Sequence, residues 1–309
     1  MSWRGHLSLH YRLEGARTVA LDRHEGPLRV LQRLYPEGEA VCHHVLVHPP
    51  GGIVGGDELE IEARLEPGTH ALVTTPGATR FYRSSGAPAT QRARLQVAAG
   101  ARLEWLPLET LAYSGCVAEN RVSLALEPGA EAMGWEVLAL GLPASGEAFE
   151  RGSFQQHLGL EGDVQGTDGG DAGRAGTRAV GASRASRPRA SVASLRWLEH
   201  GRIDATDHRL LDSPLGWDGL RVLATLWCAA GTPWSPPRRE ALLDSARTAC
   251  AASPLSARAG ATAAHDQVVV LRVLGERVEP VMALLTQVRA AWRAAAWGLA
   301  DERPRVWRT

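Results

Sequence analysis

The sequence predicts a mainly β fold, a stacked arrangement of strands with a small α-helical part at the C-terminal end. Three observations carry that expectation. Polarity alternates residue by residue in short runs through the first half of the chain, as half-buried strands require. A strand, a turn closing on glycine and a new strand recur at Gly68, Gly100 and Gly129, 32 and then 29 residues apart. Apolar spacing turns helical only beyond Ser235.

The elements follow in order. Val41 to Val47 and Leu59 to Leu65 read as strands flanking an irregular connection, HPPGGIVGGD, from His48 to Asp57. Arg92 to Val97 puts arginines and a glutamine on one face, and Arg121 to Leu126 turns Val122, Leu124 and Leu126 inward. Period two with turn signals every ten or so residues predicts antiparallel pairing. The segments Leu65–Leu72, Val97–Glu104 and Leu126–Met133 share one pattern, which predicts stacked β units, each burying a face against its neighbours. From Glu161 to Ser194 the chain is Gly, Ala, Arg, Asp and Ser with almost no large apolar residue, so that stretch is expected to be a disordered insertion. Ser235 and Pro236 open a predicted helix running to about Ala251. A strand is expected around Gln267 to Leu274. A second helix is expected from Pro280, with Val281, Leu284, Leu285, Val288, Trp292 and Ala295 on its buried face and Gly298 as its stop. The whole chain, 1–309, reads as one domain, with 235–298 its helix–strand–helix end.

Composition narrows the function. All 34 basic side chains are arginine; there is no lysine, which excludes a Walker A loop and Schiff-base chemistry. A formal net charge of zero gives no general attraction to nucleic acid or to an acidic membrane surface. The four cysteines, Cys42, Cys116, Cys228 and Cys250, lie far apart, the pattern of a reduced compartment. No apolar run approaches the ~20 residues of a membrane span, and Met1 to Arg12 lacks the apolar core of a secretory signal, so a cytoplasmic location is expected.

HPPGGIVGGD is not a dinucleotide loop, because Asp57 to Arg64 alternates like a strand and no helix follows. Cys42, His43, His44 and His48 with Asp57 are ligand types that suit first-row metals. Strand alternation separates His43 from Cys42 and His44, so a weak, transient contact through Cys42, His44 and His48 is the most the pattern supports, and no tight site is expected. Glu104 and Glu109 in LEWLPLET, and Glu136 in GWEVL, are carboxylates set in apolar strands, costly unless paired, hydrated or bound to a cation. Arg80 and Arg83 are their expected partners, and no nucleophile elbow or HExxH is present.

HPPGGIVGGD, then TTPGATRFYRS from Thr74 to Ser84, LEWLPLET, Gly134-Trp135-Glu136 and the closing PRVWRT resemble, in order and spacing, the UreD (UreH) family of urease accessory proteins. The resemblance runs from the Gly15 region to the last residue. Arg80 stands where that family typically has lysine, and Leu108 where glutamine is common. What the resemblance implies is a nickel-insertion chaperone and assembly factor, not an enzyme. It implies a helical arrangement of strands and partners that are UreF, UreG and apo-urease, with no tightly bound cofactor and Ni2+ as cargo. On that basis Asp57, Glu109 and Glu136 are the expected lining of an ion path. Pro49, Pro50, Gly51, Gly52, Gly55, Gly56, Thr75, Pro76, Gly77, Arg80, Tyr82 and Arg83 are the expected structural or interface loops. Two rivals stay open: a β-helical hydrolase using the acids as a carboxylate pair, and an interaction module with no ion path.

Overall fold

Alternate apolar positions turn the first half of the chain into strands with one greasy and one charged face. The computed structural model describes residues 2–162 and 194–308. The insertion expected at 161–194 lies, but for its end residues, outside the described residues. The chain enters through β1 (Arg4–Glu14), β2 (Arg17–Glu25), β3 (Arg29–Leu34) and β4 (Val41–Val47). It then winds in coils: β5 (Glu58–Leu65) and β6 (His70–Thr74) with the short β7 (Thr79–Phe81), then β8 (Ala89–Val97) and β9 (Arg102–Leu106) with the short β10 (Thr110–Ala112). Next come β11 (Val117–Leu126), β12 (Glu131–Leu140), β13 (Ser153–Gly162), β14 (Ser194–Asp204), one helical turn α1 (His208–Leu211) and β15 (Val222–Ala230). The chain closes with α2 (Pro236–Ala252), β16 (Ala259–His265), β17 (Val268–Gly275) and α3 (Val278–Trp297).

Two sheets face each other. The first runs β14-β13-β11-β8-β5-β1-β2 and the second β16-β17-β15-β12-β9-β6-β4-β3. The strands of the coils pair in parallel, not antiparallel as the alternation suggested: Ile61 lies opposite Ala93, and Ala93 opposite Val122. Each strand crosses to the other sheet and returns before it pairs, which is a crossover connection and not a hairpin. Period-two alternation reports burial and is blind to direction. The repeated turns are structural: Gly68, Gly100 and Gly129 have φ of 75°, 71° and 82°, and the Gly100 N–H donates to the Gly129 carbonyl at 3.3 Å. Only glycine adopts that conformation readily, so one corner of each coil is pinned.

The second sheet is covered on both faces, which is why β12 reads as an almost unbroken apolar run. One core lies between the sheets, around Leu9, Ile61, Leu95, Leu124 and Trp227. The other lies between the second sheet and the helices, around Trp135, Leu226, Leu242, Leu285 and Trp292. The helices are joined by the Trp292 indole donating to the Leu242 carbonyl at 2.8 Å. Helix α3 begins two residues before Pro280 and ends on Gly298 in the left-handed region. Ala295, expected on the buried face, is exposed, while Arg289 and Arg293 take buried places. β16 escaped the sequence reading because AGATAAH offers only small side chains and no apolar alternation.

Candidate functional site

A third, narrow face closes each coil, and it brings the sequence motifs together. Ile53, in the middle of HPPGGIVGGD, bridges to Phe81 in parallel, and β7 pairs with β10. The Ile53 N–H donates to Arg80 O at 2.7 Å, Tyr82 N–H to Ile53 O at 2.8 Å, Thr79 N–H to Glu109 O at 2.9 Å and Tyr113 N–H to Phe81 O at 3.0 Å. HPPGGIVGGD, TTPGATRFYRS and LEWLPLET are therefore successive rungs of one ladder. Buried Gly52 lets Tyr82 lie directly on the loop: a Cβ there would sit 2.0 Å from the tyrosine ring. Tyr82 in turn packs on Tyr113, with ring centroids 4.7 Å apart. The Thr75 hydroxyl donates to Gly77 O at 3.0 Å and accepts from Leu108 N–H at 2.9 Å, holding the second rung's turn.

Asp57 locks the first rung. One carboxylate oxygen accepts from Trp3 N–H at 2.7 Å and the other from Val54 N–H at 3.0 Å. Arg80 reaches back to the Gly51 carbonyl at 3.4 Å, and the aliphatic stem of Arg83 lies under Gly115. Contrary to the sequence reading, neither arginine pairs with the buried acids; their contacts are the Gly51 carbonyl and Gly115. Glu104 turns to the opposite face of the second sheet, where Arg289 Nε donates to it at 2.9 Å and His70 Nε2 lies at 3.1 Å. Arg293 Nε stands 3.2 Å from Glu104, an ion-pair contact without hydrogen-bond alignment. Burial pushes the Glu104 carboxyl upward, but Arg289 first, then His70 and Arg293, outweigh it and hold its pKa at about 2. No sequence spacing could name partners that far along the chain.

Behind the third face lies a cavity of about 280 Å³, lined by His48, Pro49, Gly51, Gly52, Thr75, Pro76, Gly77 and Arg80 and floored by Gln91 and Trp105. A second cavity, of about 190 Å³, opens farther along the stack and is lined by Glu136, Gln156, Glu199, His200, Arg202 and Thr225 together with apolar groups. An amide ladder connects the two. Gln91, Asn120 and Gln156 are register partners on β8, β11 and β13, all on the inward phase of the first sheet. Gln91 Nε2 donates to Asn120 Oδ1 at 3.3 Å; Asn120 Nδ2 donates to Glu136 at 2.7 Å, and Gln156 Nε2 to Glu136 at 3.2 Å. From the second sheet the Trp105 indole N–H donates to Glu136 at 3.2 Å. Glu136 thus has neutral donors only, and burial raises its pKa to about 7 against the pull of Trp105, Asn120 and Gln156. Beyond it, Thr225 donates to Glu199 at 3.0 Å, and Glu199 is tied to Arg272 at 2.8 and 2.6 Å.

The three acids named from the sequence do not meet: Glu136 lines the second cavity, and Asp57 and Glu109 line neither. Cys42 and His44 point into the inter-sheet core, where the Tyr11 hydroxyl contacts His44 Nδ1 at 2.7 Å, while His48 borders the first cavity. Burial lowers the pKa of His44 to about 4 and that of His48 in direction, Asp57 opposing the latter. Among the described residues no three His, Cys, Asp or Glu side chains gather as a metal-ligand set. Gln91, Asn120 and Gln156 were missed, although each is a polar residue on the apolar phase of its strand, between Ala89 and Ala93, Ala118 and Val122, and Phe154 and Leu158.

The family model described as UreD urease accessory protein matches residues 4–308. The chain belongs to the UreD family. A urease accessory protein UreD from Leptothrix cholodnii is 54% identical over the full length of both chains. Those from Variovorax paradoxus and Verminephrobacter eiseniae are each 53% identical, over 100% and 99% of both chains. UreD family membership places the stacked third face and the amide ladder in a protein of urease maturation. Among the described residues no helix is long and apolar enough to cross a membrane.

Proposed function

We propose that this chain is a scaffold that bridges a UreF–UreG accessory complex to apo-urease and conducts Ni2+ through its interior. The observation that carries the passage is the Gln91–Asn120–Glu136–Gln156 line, a run of uncharged amides ending on one carboxylate that joins two cavities through an otherwise apolar core. Such a line suits transfer. A buried carboxylate with neutral donors and no arginine beside it attracts a divalent cation, while amide oxygens are hard, weak ligands that release it. A Cys/His tetrad would retain the ion instead. Asp57 and Glu109 act from outside the lining, Asp57 by fixing the glycine loop over the first cavity and Glu109 by its carbonyl, which holds the second rung. The rungs from Pro49 to Gly56 and from Thr75 to Arg83 form the rim against which a partner packs.

The test uses Glu136→Gln and Asn120→Leu in cells producing urease and its accessory proteins. Urease activation is measured alongside recovery of the accessory complex. Activation falls at least tenfold while the complexes persist; full activation with intact complexes rejects the passage, and loss of the complexes rejects the assignment of these residues to transfer.

A further inference from the structure

The outer face of the first sheet holds a feature that the interior line does not use. His157 on β13 lies directly opposite His200 on β14. Their rings stack, with centroids 4.0 Å apart and planes 15° from parallel. Both stand on the face of their strands turned away from Leu158 and the interior, His157 half-buried and His200 exposed. Elsewhere His43, His70, His208 and His265 each lie against a carboxylate. These two rings have no hydrogen-bonding or ion-pair partner among the described residues, so all four ring nitrogens are available.

The groups that face the pair are few. Arg121 on β11 is the register partner of His157, and Glu119 on the same strand is ion-paired to Arg121 at 3.1 Å. Gln155 and Gly159 flank His157 on its own strand, and Arg202 and Leu198 flank His200. Burial, Arg121 and then His200 hold His157 below the usual imidazole range, with Glu119 opposing. Unpartnered imidazoles directly opposite one another on adjacent strands can act as a ligand pair: both rings turn about their side-chain bonds, giving up the stack, so that one nitrogen of each points at a shared ion at the ~2.0–2.1 Å a metal–imidazole bond needs.

We propose that His157 and His200 form an open, two-imidazole surface site for a late first-row divalent cation, its remaining positions filled by water. Imidazole suits copper, nickel and zinc, with copper the tightest. His200 also borders the second cavity, but both imidazoles stand on the opposite face of their strands from Leu158, so the site does not use the Glu136 carboxylate. Two ligands with Arg121 nearby make it weak and exchangeable.

Titration of the full-length protein with Cu2+ and with Ni2+, by calorimetry and by the nitrogen hyperfine pattern of the bound copper, tests it. Compared are the wild type, His157→Asn, His200→Gln, the double variant, Arg121→Gln and Glu136→Gln. Each single histidine variant loses the same site, with affinity down about tenfold or more, and the double variant is no worse than either single one. Arg121→Gln tightens binding about threefold by removing a nearby positive charge. Glu136→Gln leaves the site unchanged, so this outcome and a failure of the passage are distinguishable. Wild-type affinity and stoichiometry in the double variant, or independent and additive losses in the two singles, overturn the assignment.

Discussion

Arg289 on α3 and Glu104 on β9 are 185 residues apart in sequence and 2.9 Å apart in the fold, both wholly buried. Around them Arg293 reaches Glu37 at 2.5 Å and the Ala300 carbonyl at 2.6 Å, and Arg289 reaches the Glu302 carbonyl at 3.0 Å. This network fastens the last helix and the segment after it to the coils. Removing one partner leaves the other charge buried and unpaired, so Arg289→Met destabilises the chain by about 3–5 kcal/mol in denaturant unfolding. A loss below ~1 kcal/mol means the network is hydrated and optional.

The same network sets the acid limit. Glu104 titrates near 2 in the fold against 4.5 in the unfolded chain. The folded carboxyl therefore binds fewer protons, and its contribution is fully present above about pH 4.5 and lost as pH falls toward 2. Glu104→Gln flattens the stability profile across that window, and an unchanged profile assigns acid unfolding to other groups.

Glu136 works with the opposite sign. Its pKa of about 7 lies above the unfolded 4.5, so the folded state binds more protons between those values. Stability falls as pH rises from about 4.5 to 7. Glu136→Gln removes that slope and stabilises the protein above pH 7, by up to about 3 kcal/mol. The carboxylate would then be a feature kept at a cost in stability, as a transfer group would be. A variant less stable than wild type at pH 8 contradicts the pKa and weakens the passage with it.

Much of this architecture was legible because burial writes itself into strand alternation. Val122, Leu124 and Leu126 pointed inward as read, the glycine turns stack, and Gly298 stops α3. Strand direction was not legible, since parallel and antiparallel neighbours bury the same alternate residues. β16 was invisible because its covering helix α2 needs only small residues beneath it. At the site, the rim motifs and Glu136 stood out as glycine runs and a misplaced acid. The amide ladder did not, because Gln91, Asn120 and Gln156 acquire meaning only when the register aligns them. Likewise Trp307 of the closing motif is explained by long-range contact alone: its indole donates to Thr74 at 2.8 Å, and its ring packs on Trp135.

Asp57 separates a structural from an ionic role. Both of its oxygens accept backbone N–H groups, so Asp57→Ala leaves those donors bare and costs about 1–3 kcal/mol in thermal or denaturant unfolding. Asp57→Asn keeps one acceptor oxygen and removes the charge. Near-wild-type urease activation by Asp57→Asn, with Asp57→Ala impaired, fits a loop lock. Equal loss in both variants, with stability kept in Asp57→Asn, means the charge itself meets the ion.

The close approach of Gly52 to Tyr82 gives the rim its shape. A Cβ at residue 52 would lie 2.0 Å from Cε2 and 2.5 Å from Cδ2 of the ring, and Tyr82 cannot simply swing aside because Tyr113 packs against it. Gly52→Ala therefore lifts the loop off the second rung, strains the Ile53–Arg80 and Tyr82–Ile53 hydrogen bonds, and costs about 1–3 kcal/mol. The clash is specific, so it should vanish in a Tyr82→Ala background. There the added methyl costs less than about 0.5 kcal/mol, and the double-mutant cycle gives a coupling of at least ~1 kcal/mol. Urease activation follows the same cycle if the rim is a docking surface: lost in Gly52→Ala and partly regained in the double variant. Additive stability losses mean that the loop yields elsewhere, and the ladder of rungs is then softer than its hydrogen bonds suggest.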